Sequence, residues 1–211
     1  MAQGTKIAGK LTVADWQKLS AALRAHMGST HLWEKAYGYF EQRMKTRYLN
    51  PIQHIEAQAN IEGEGFAITA IICSMIEALE SYYQGRSYRR PPKGTQLNQN
   101  TEYFSSQLLF ESFLQNREPF KKHFSNIGLA TEFYENVRCA ILHEAATRGG
   151  WKIRIDSNSL IEQQGNQWVL NRALFVQAVQ KYMEGYKQEL LSSIVLKEAF
   201  MRKFDAICAS A

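Results

Sequence analysis

Arg138 and His143 stand five positions apart in one run of this 211-residue chain, and no other short run holds so many chemically capable side chains. The run is Phe133-Tyr-Glu-Asn-Val-Arg-Cys-Ala-Ile-Leu-His-Glu-Ala-Ala-Thr147, followed by Arg148-Gly-Gly150, with Cys139 directly after the arginine and Glu144 directly after the histidine. Histidine is the natural proton donor or acceptor near neutral pH. Arginine stays charged and grips phosphate oxygens with two parallel hydrogen bonds. Cutting an RNA phosphodiester without a metal needs a base for the 2′-hydroxyl, an acid for the leaving oxygen and positive charge for the crowded phosphate, so the pair is a minimal toolkit for that reaction. The spacing is awkward. Five residues of regular α-helix turn through about 500°, so the two side chains diverge by about 140°, unlike i, i+4 neighbours. The length of the arginine, a bend in the helix, or a second subunit across a two-fold axis could each close the gap. The plainer alternatives are an arginine in surface ion pairs with Glu132 or Glu135, and a histidine satisfied in the core.

The element carrying the pair is expected to run from Gly128 to Thr147, with a core stripe of Leu129, Phe133, Val137, Ala140, Ile141 and Ala145, and to end at Gly149-Gly150. The apolar period then changes from 3.6 to 2. Trp151, Ile153 and Ile155 alternate with polar residues, and Leu160–Gln164, Gly165-Asn166 and Gln167–Leu170 read as strand, tight turn and strand. That is a small three-strand insertion at about 151–170, placed before a long last helix capped by Asn171 and running to about Cys208, with Gly185 a candidate kink.

Upstream, Thr12 or Asp15 caps a first helix through Trp16, Leu19, Leu23 and Met27, and a second spans His31 to Tyr48. Asn50-Pro51 resets the chain into a short helix from Ile52 to about Ala59. Phe66–Tyr83 is apolar almost all round and so central to its bundle. On it, Ser74 and Glu77 either face a site or are a back-bonded serine and a surface glutamate. A fifth helix is expected from Thr101 to Gln115, then a turn from Arg117 to Phe124. The whole reads as a mainly α fold, one domain over residues 1–211, with 1–11 frayed.

Gln84–Thr95 is a loop, because Pro91-Pro92 and two glycines forbid a helix. Arg86, Arg89, Arg90 and Lys93 surround Tyr88 there. Cations for phosphate and an aromatic ring for base stacking suit single-stranded nucleic acid, and a solvated basic loop has the same composition. The formal net charge of +5 is compatible with a polyanionic partner. Three widely spaced cysteines (Cys73, Cys139 and Cys208) fit a reducing cytoplasm rather than a disulfide framework. A secretion signal, a membrane span, a metal site and a bound cofactor are not expected; no GxGxxG, P-loop, GxSxG or HExxH motif occurs.

Two phrases carry a resemblance. Asn136-Val-Arg-Cys-Ala-Ile-Leu-His-Glu144 and Gly63-Glu-Gly-Phe-Ala-Ile-Thr-Ala-Ile-Ile-Cys-Ser-Met-Ile-Glu77 resemble the HEPN superfamily, whose signature is an arginine, a short spacer and a histidine on a late helix. The likeness spans about residues 30–205. It implies an antiparallel helical bundle that forms a homodimer, and a metal-independent ribonuclease of phage defence or toxin–antitoxin systems with an antitoxin or other defence protein as partner. It implies that Arg138 binds and polarises phosphate and that His143 is acid or base, with Cys139, Glu144 and Asn136 supporting them. The basic loop of Arg86, Tyr88, Arg89, Arg90 and Lys93 would contact RNA. Many members carry Asn, Asp or His after the arginine where this chain has Cys139, a weak donor. Position 145 is Ala, so the tyrosine modification of one toxin branch does not carry over. A non-catalytic RNA- or protein-binding module of the same fold is the alternative.

Overall fold

A computed structural model describes residues 4–58 and 62–211. The fold is mainly α with a small strand insertion, as the sequence pattern predicts. The chain forms two compact units: one of residues 4–50, 81–104 and 186–211, the other of 51–58, 62–80 and 105–185.

In the first unit, helix α1 (Val13–Ala25) starts at a capping box. The Thr12 hydroxyl accepts from the Asp15 amide at 3.3 Å, and the Asp15 carboxylate accepts from the Thr12 amide at 2.9 Å, so two orphan helix donors are satisfied reciprocally. Residues 1–11 are expected to be frayed; instead Lys6–Ala8 forms strand β1, paired antiparallel with strand β2 (Leu11–Thr12). Burial of Ile7 and Ala8, and donation from Arg43 to the Ile7 carbonyl, hold them. Helix α2 (Thr30–Met44), capped by Ser29, packs its aromatics into a core with Trp16, Tyr82, Phe200 and Phe204. Trp16 stacks on Phe204 at 4.5 Å and donates its indole N–H to Asp205 at 2.8 Å.

Pro51 does not reset the chain. A π turn (Lys45–Leu49) leads straight into helix α3 (Asn50–Glu56), and Asn50 is itself helical, its N–H bonded to the Lys45 carbonyl. The widened turn just ahead of Pro51 relieves the ring–carbonyl clash that proline causes in a regular helix. The expected end of this helix at Ala59 lies outside the described residues.

Helix α4 (Glu64–Gln84) is long and apolar enough to span a membrane by length and composition alone, but most of that window is buried inside the fold. The segment after it contains strand β3 (Ser87–Tyr88), paired in parallel with β4 (Glu102–Tyr103). Because β4 occupies the expected start of the fifth helix, α5 (Ser106–Asn116) begins later, capped by Ser105. After a short 3-10 turn at Phe120–Lys122 come helix α6 (Ile127–Phe133), a second π turn (Tyr134–Cys139) and α7 (Ala140–Glu144).

The insertion forms as expected. Strands β5 (Trp151–Arg154), β6 (Ile161–Gln164) and β7 (Gln167–Asn171) make one sheet in the order β5-β7-β6, with β6–β7 antiparallel and β5–β7 parallel. Trp151 and Trp168 are register partners and stack at 5.8 Å. The Asn171 side chain accepts from the Leu174 amide at 3.0 Å and so caps α8 (Arg172–Ser192). The long last helix is broken, but at Ser193 rather than at Gly185. The Ser192 hydroxyl bonds back to the Gln188 and Glu189 carbonyls, and the Ser193 hydroxyl accepts from the Leu196 amide to cap a separate helix α9 (Ile194–Ala209). Serine competes with the helix backbone in this way, and the apolar period alone does not reveal it.

In the second unit, the fully buried Glu80 carboxylate of α4 accepts from Arg117 Nε and Nη2, each at 2.9 Å, and from the Ser112 hydroxyl at 2.8 Å. Removing one partner strands a buried charge. Arg117→Met is expected to lower unfolding free energy by about 3–5 kcal/mol, read as a shift of the urea midpoint. A change under about 1 kcal/mol would show that water replaces the guanidinium freely.

Candidate functional site

The site element is built by burial on one face. Phe133, Val137 and Ala140 are buried, so the α6–π turn–α7 segment docks that face and turns Tyr134, Arg138 and Cys139 to a half-buried edge. The sequence pattern predicts one regular helix to Thr147. The observed segment widens at Tyr134–Cys139 and stops at Glu144, where Ala145 takes a left-handed conformation (φ 53°) and donates its N–H to the Ile141 carbonyl at 3.1 Å. Left-handed alanine costs about 1–2 kcal/mol, so the surrounding contacts hold it there. They include the Arg148 amide, which donates to the Asn136 carbonyl at 2.8 Å. Gly149 (φ 58°) packs against the Asn136 side chain, where an added Cβ would come within 2.8 Å of the amide nitrogen. The two glycines therefore serve a fold-back after the helix rather than its end.

Arg138 pairs with neither Glu132 nor Glu135. Its Nη2 lies 3.6 Å from the Glu77 carboxylate, its guanidinium carbon 5.2 Å from the Tyr134 ring centroid, and its Nη1 3.9 Å from Cys139 Sγ. Glu77 accepts a further hydrogen bond from the Ser106 hydroxyl at 2.9 Å. The Arg138 and Glu77 side chains are each 19% exposed, so the pair is mostly withdrawn from water. Ser74, by contrast, is exposed and bonds back to the Ala70 carbonyl at 3.1 Å. Tyr134, which the sequence reading did not single out, is the aromatic face of the site. Burial raises its phenol above the usual value; the Arg138 cation opposes this, while Cys139 and Glu77 reinforce it. Cys73 on α4 is buried and its thiol is pushed far up by that burial.

His143 is exposed on α7, and among the described residues no hydrogen bond or ion pair joins it to Arg138. Glu144 pairs with Arg148. The structure thus brings together Glu77, Tyr134, Arg138 and Cys139, and does not bring Arg138 and His143 into contact within one chain. The basic-loop residues belong to the other compact unit. Arg86 donates twice to the Glu102 carbonyl, at 2.9 and 2.6 Å, and Arg89 pairs with the Glu102 carboxylate at 2.6 Å; Tyr88, Arg90 and Lys93 are exposed. Among the described residues no three His, Cys, Asp or Glu side chains are grouped to hold a metal ion.

No family model matches the chain, and neither a curated protein nor a solved structure is significantly similar to it.

Two measurements check this geometry. Because the Arg138 charge favours the phenolate, Arg138→Met is expected to raise the Tyr134 pKa further, read from the ring carbon shift of labelled tyrosine against pH; an unchanged or lower value contradicts the contact. Burial also raises the thiols of Cys73 and of Cys208, the latter to about 11, whereas Cys139 is partly exposed. Iodoacetamide at about pH 8 is expected to label native protein at Cys139 first. Labelling of Cys73 ahead of it would contradict the assignment of burial.

Proposed function

We propose that the chain is a metal-independent endoribonuclease of HEPN type acting on single-stranded RNA. The observation that carries this reading is Arg138, a half-buried guanidinium braced by Glu77 and Tyr134 and followed on the next helical segment by the exposed imidazole of His143. In the proposed reaction, a His143 imidazole takes the proton of the RNA 2′-hydroxyl. The 2′-oxygen attacks phosphorus, the bond to the 5′-oxygen breaks, and that oxygen takes a proton from an acid. Arg138 leans from Glu77 toward the phosphate and neutralises the charge gathering on its oxygens. One imidazole cannot be base and acid in the same step, and Arg138 and His143 share no bond within one chain. A homodimer answers both points by supplying a second His143. The resemblance to HEPN proteins supports a role in phage defence or a toxin–antitoxin response, with an antitoxin or another defence protein as partner, and the three widely spaced cysteines fit a cytoplasmic setting.

A specific observation favours a second reading, a non-catalytic RNA- or protein-binding module. Arg138 is already answered by Glu77, and Cys139 beside it is a weak donor. The two readings part in one assay. Labelled single-stranded RNA is incubated in excess EDTA with wild type, Arg138→Ala and His143→Ala, each checked for folding by circular dichroism. The ribonuclease reading expects wild-type cleavage and a loss of at least about 100-fold in each variant. Equal cleavage by all three removes the catalytic role, and salt-dependent binding with no cleavage selects the second reading.

A further inference from the structure

Tyr88 and Phe104 are large aromatic side chains that the fold leaves in solvent, 55% and 47% exposed. Their rings lie 5.9 Å apart at 33°, and the buried Tyr103 packs edge-on against Tyr88 at 5.8 Å. Neither exposed ring is needed to fill the core, yet the backbone beneath them is firmly held. The β3–β4 pairing is extended by Ser87 N–H to the Thr101 carbonyl at 2.8 Å and Arg89 N–H to the Tyr103 carbonyl at 2.9 Å. Helix α9 clamps the start of the segment: Arg202 donates to the Gly85 and Gln84 carbonyls at 2.9 and 3.0 Å, and Lys203 to the Arg86 carbonyl at 3.0 Å. Gly85 permits this approach, since its φ is 65° and an added Cβ would lie 2.6 Å from the Ala199 backbone. Rings on so fixed a base lose little freedom when a flat ligand stacks on them.

The charge around the rings selects the ligand. Four cations, Arg86, Arg89, Arg90 and Lys93, share the segment from 84 to 104 with a single carboxylate, Glu102. That carboxylate is already answered by Arg89 and by the Asn98 amide, which donates at 2.9 Å. Arg90 and Lys93 are exposed and enter no ion pair among the described residues. Exposed stacking rings on the same segment as uncommitted cations fit unpaired bases strung on phosphates, and a duplex, with its bases covered, does not.

We propose that Tyr88 and Phe104 form a base-stacking platform for single-stranded RNA, with Arg90 and Lys93 holding the flanking phosphates. The choice of RNA rests on the ribonuclease reading, whereas the stacking and phosphate chemistry is independent of it. Phe104 is the addition the structure makes to the basic loop, because pairing of β3 with β4 brings it to Tyr88.

The test is equilibrium binding of a fluorescein-labelled oligouridine to the full chain carrying His143→Ala, so that the probe stays intact. Tyr88→Ala and Phe104→Ala are each expected to weaken binding about tenfold, with the near-ultraviolet spectrum and melting temperature confirming the fold. Tyr88→Phe keeps the ring and is expected to bind as the parent does. An abasic oligomer of equal length is expected to bind the parent at least as weakly as the base-bearing oligomer binds either alanine variant. Arg90→Gln and Lys93→Gln are each expected to flatten the slope of log affinity against log salt by about 0.7. Equal binding of abasic and base-bearing probes, or parental affinity in both alanine variants, overturns the platform. Failure of cleavage in EDTA leaves this binding intact, and loss of the platform with cleavage retained leaves the ribonuclease reading standing.

Discussion

A carboxylate with no access to water has to be answered on every side, and Glu80 is the place where this constraint organises the second unit. Arg117 gives it two N–H groups and Ser112 a hydroxyl, so α4 meets α5 in one register. Such a pair adds little net stability, because desolvation offsets the attraction; its consequence is position. Glu77 lies one turn earlier on α4 and reaches Ser106 of α5 on one side and Arg138 on the other. The buried ion pair thus fixes the carboxylate that in turn braces the candidate phosphate-binding arginine.

The segment carrying Arg138 is irregular where chemistry is proposed. The π turn precedes and includes Arg138, and the left-handed Ala145 follows His143 by two residues. Wide turns of this kind are frequent at functional sites, and they stack Tyr134 beneath the guanidinium. They do not bring His143 to Arg138 within one chain. The five-residue offset is therefore resolved in the proposal by a second copy, rather than by the fold of one.

Local chemistry was readable in the sequence. The Thr12 cap, the change to period two after Gly150, the tight turn at Gly165-Asn166 and the Asn171 cap all act over a few residues, and all appear as expected. Features that depend on tertiary partners were not readable. Glu77 is remote in sequence from Arg138, so the spacing within the late helix pointed to Glu132 or Glu135 instead. Pro51 sits inside a continuous helix because a π turn accommodates it, and apolar periodicity cannot distinguish that from a restart. Ser193 breaks the last helix within an unbroken apolar stripe. Phe104 fell inside an expected helix, and only the β3–β4 pairing reveals it as a neighbour of Tyr88.

In the proposed reaction the 2′-oxygen attacks phosphorus and the bond to the 5′-oxygen breaks. The most direct measurement is the chemistry of the ends left on single-stranded RNA after incubation with the purified protein in EDTA. Attack by the 2′-oxygen predicts a 2′,3′-cyclic phosphate on one fragment and a 5′-hydroxyl on the other. Fragments ending in 3′-hydroxyl and 5′-phosphate, or RNA that stays whole, would contradict it.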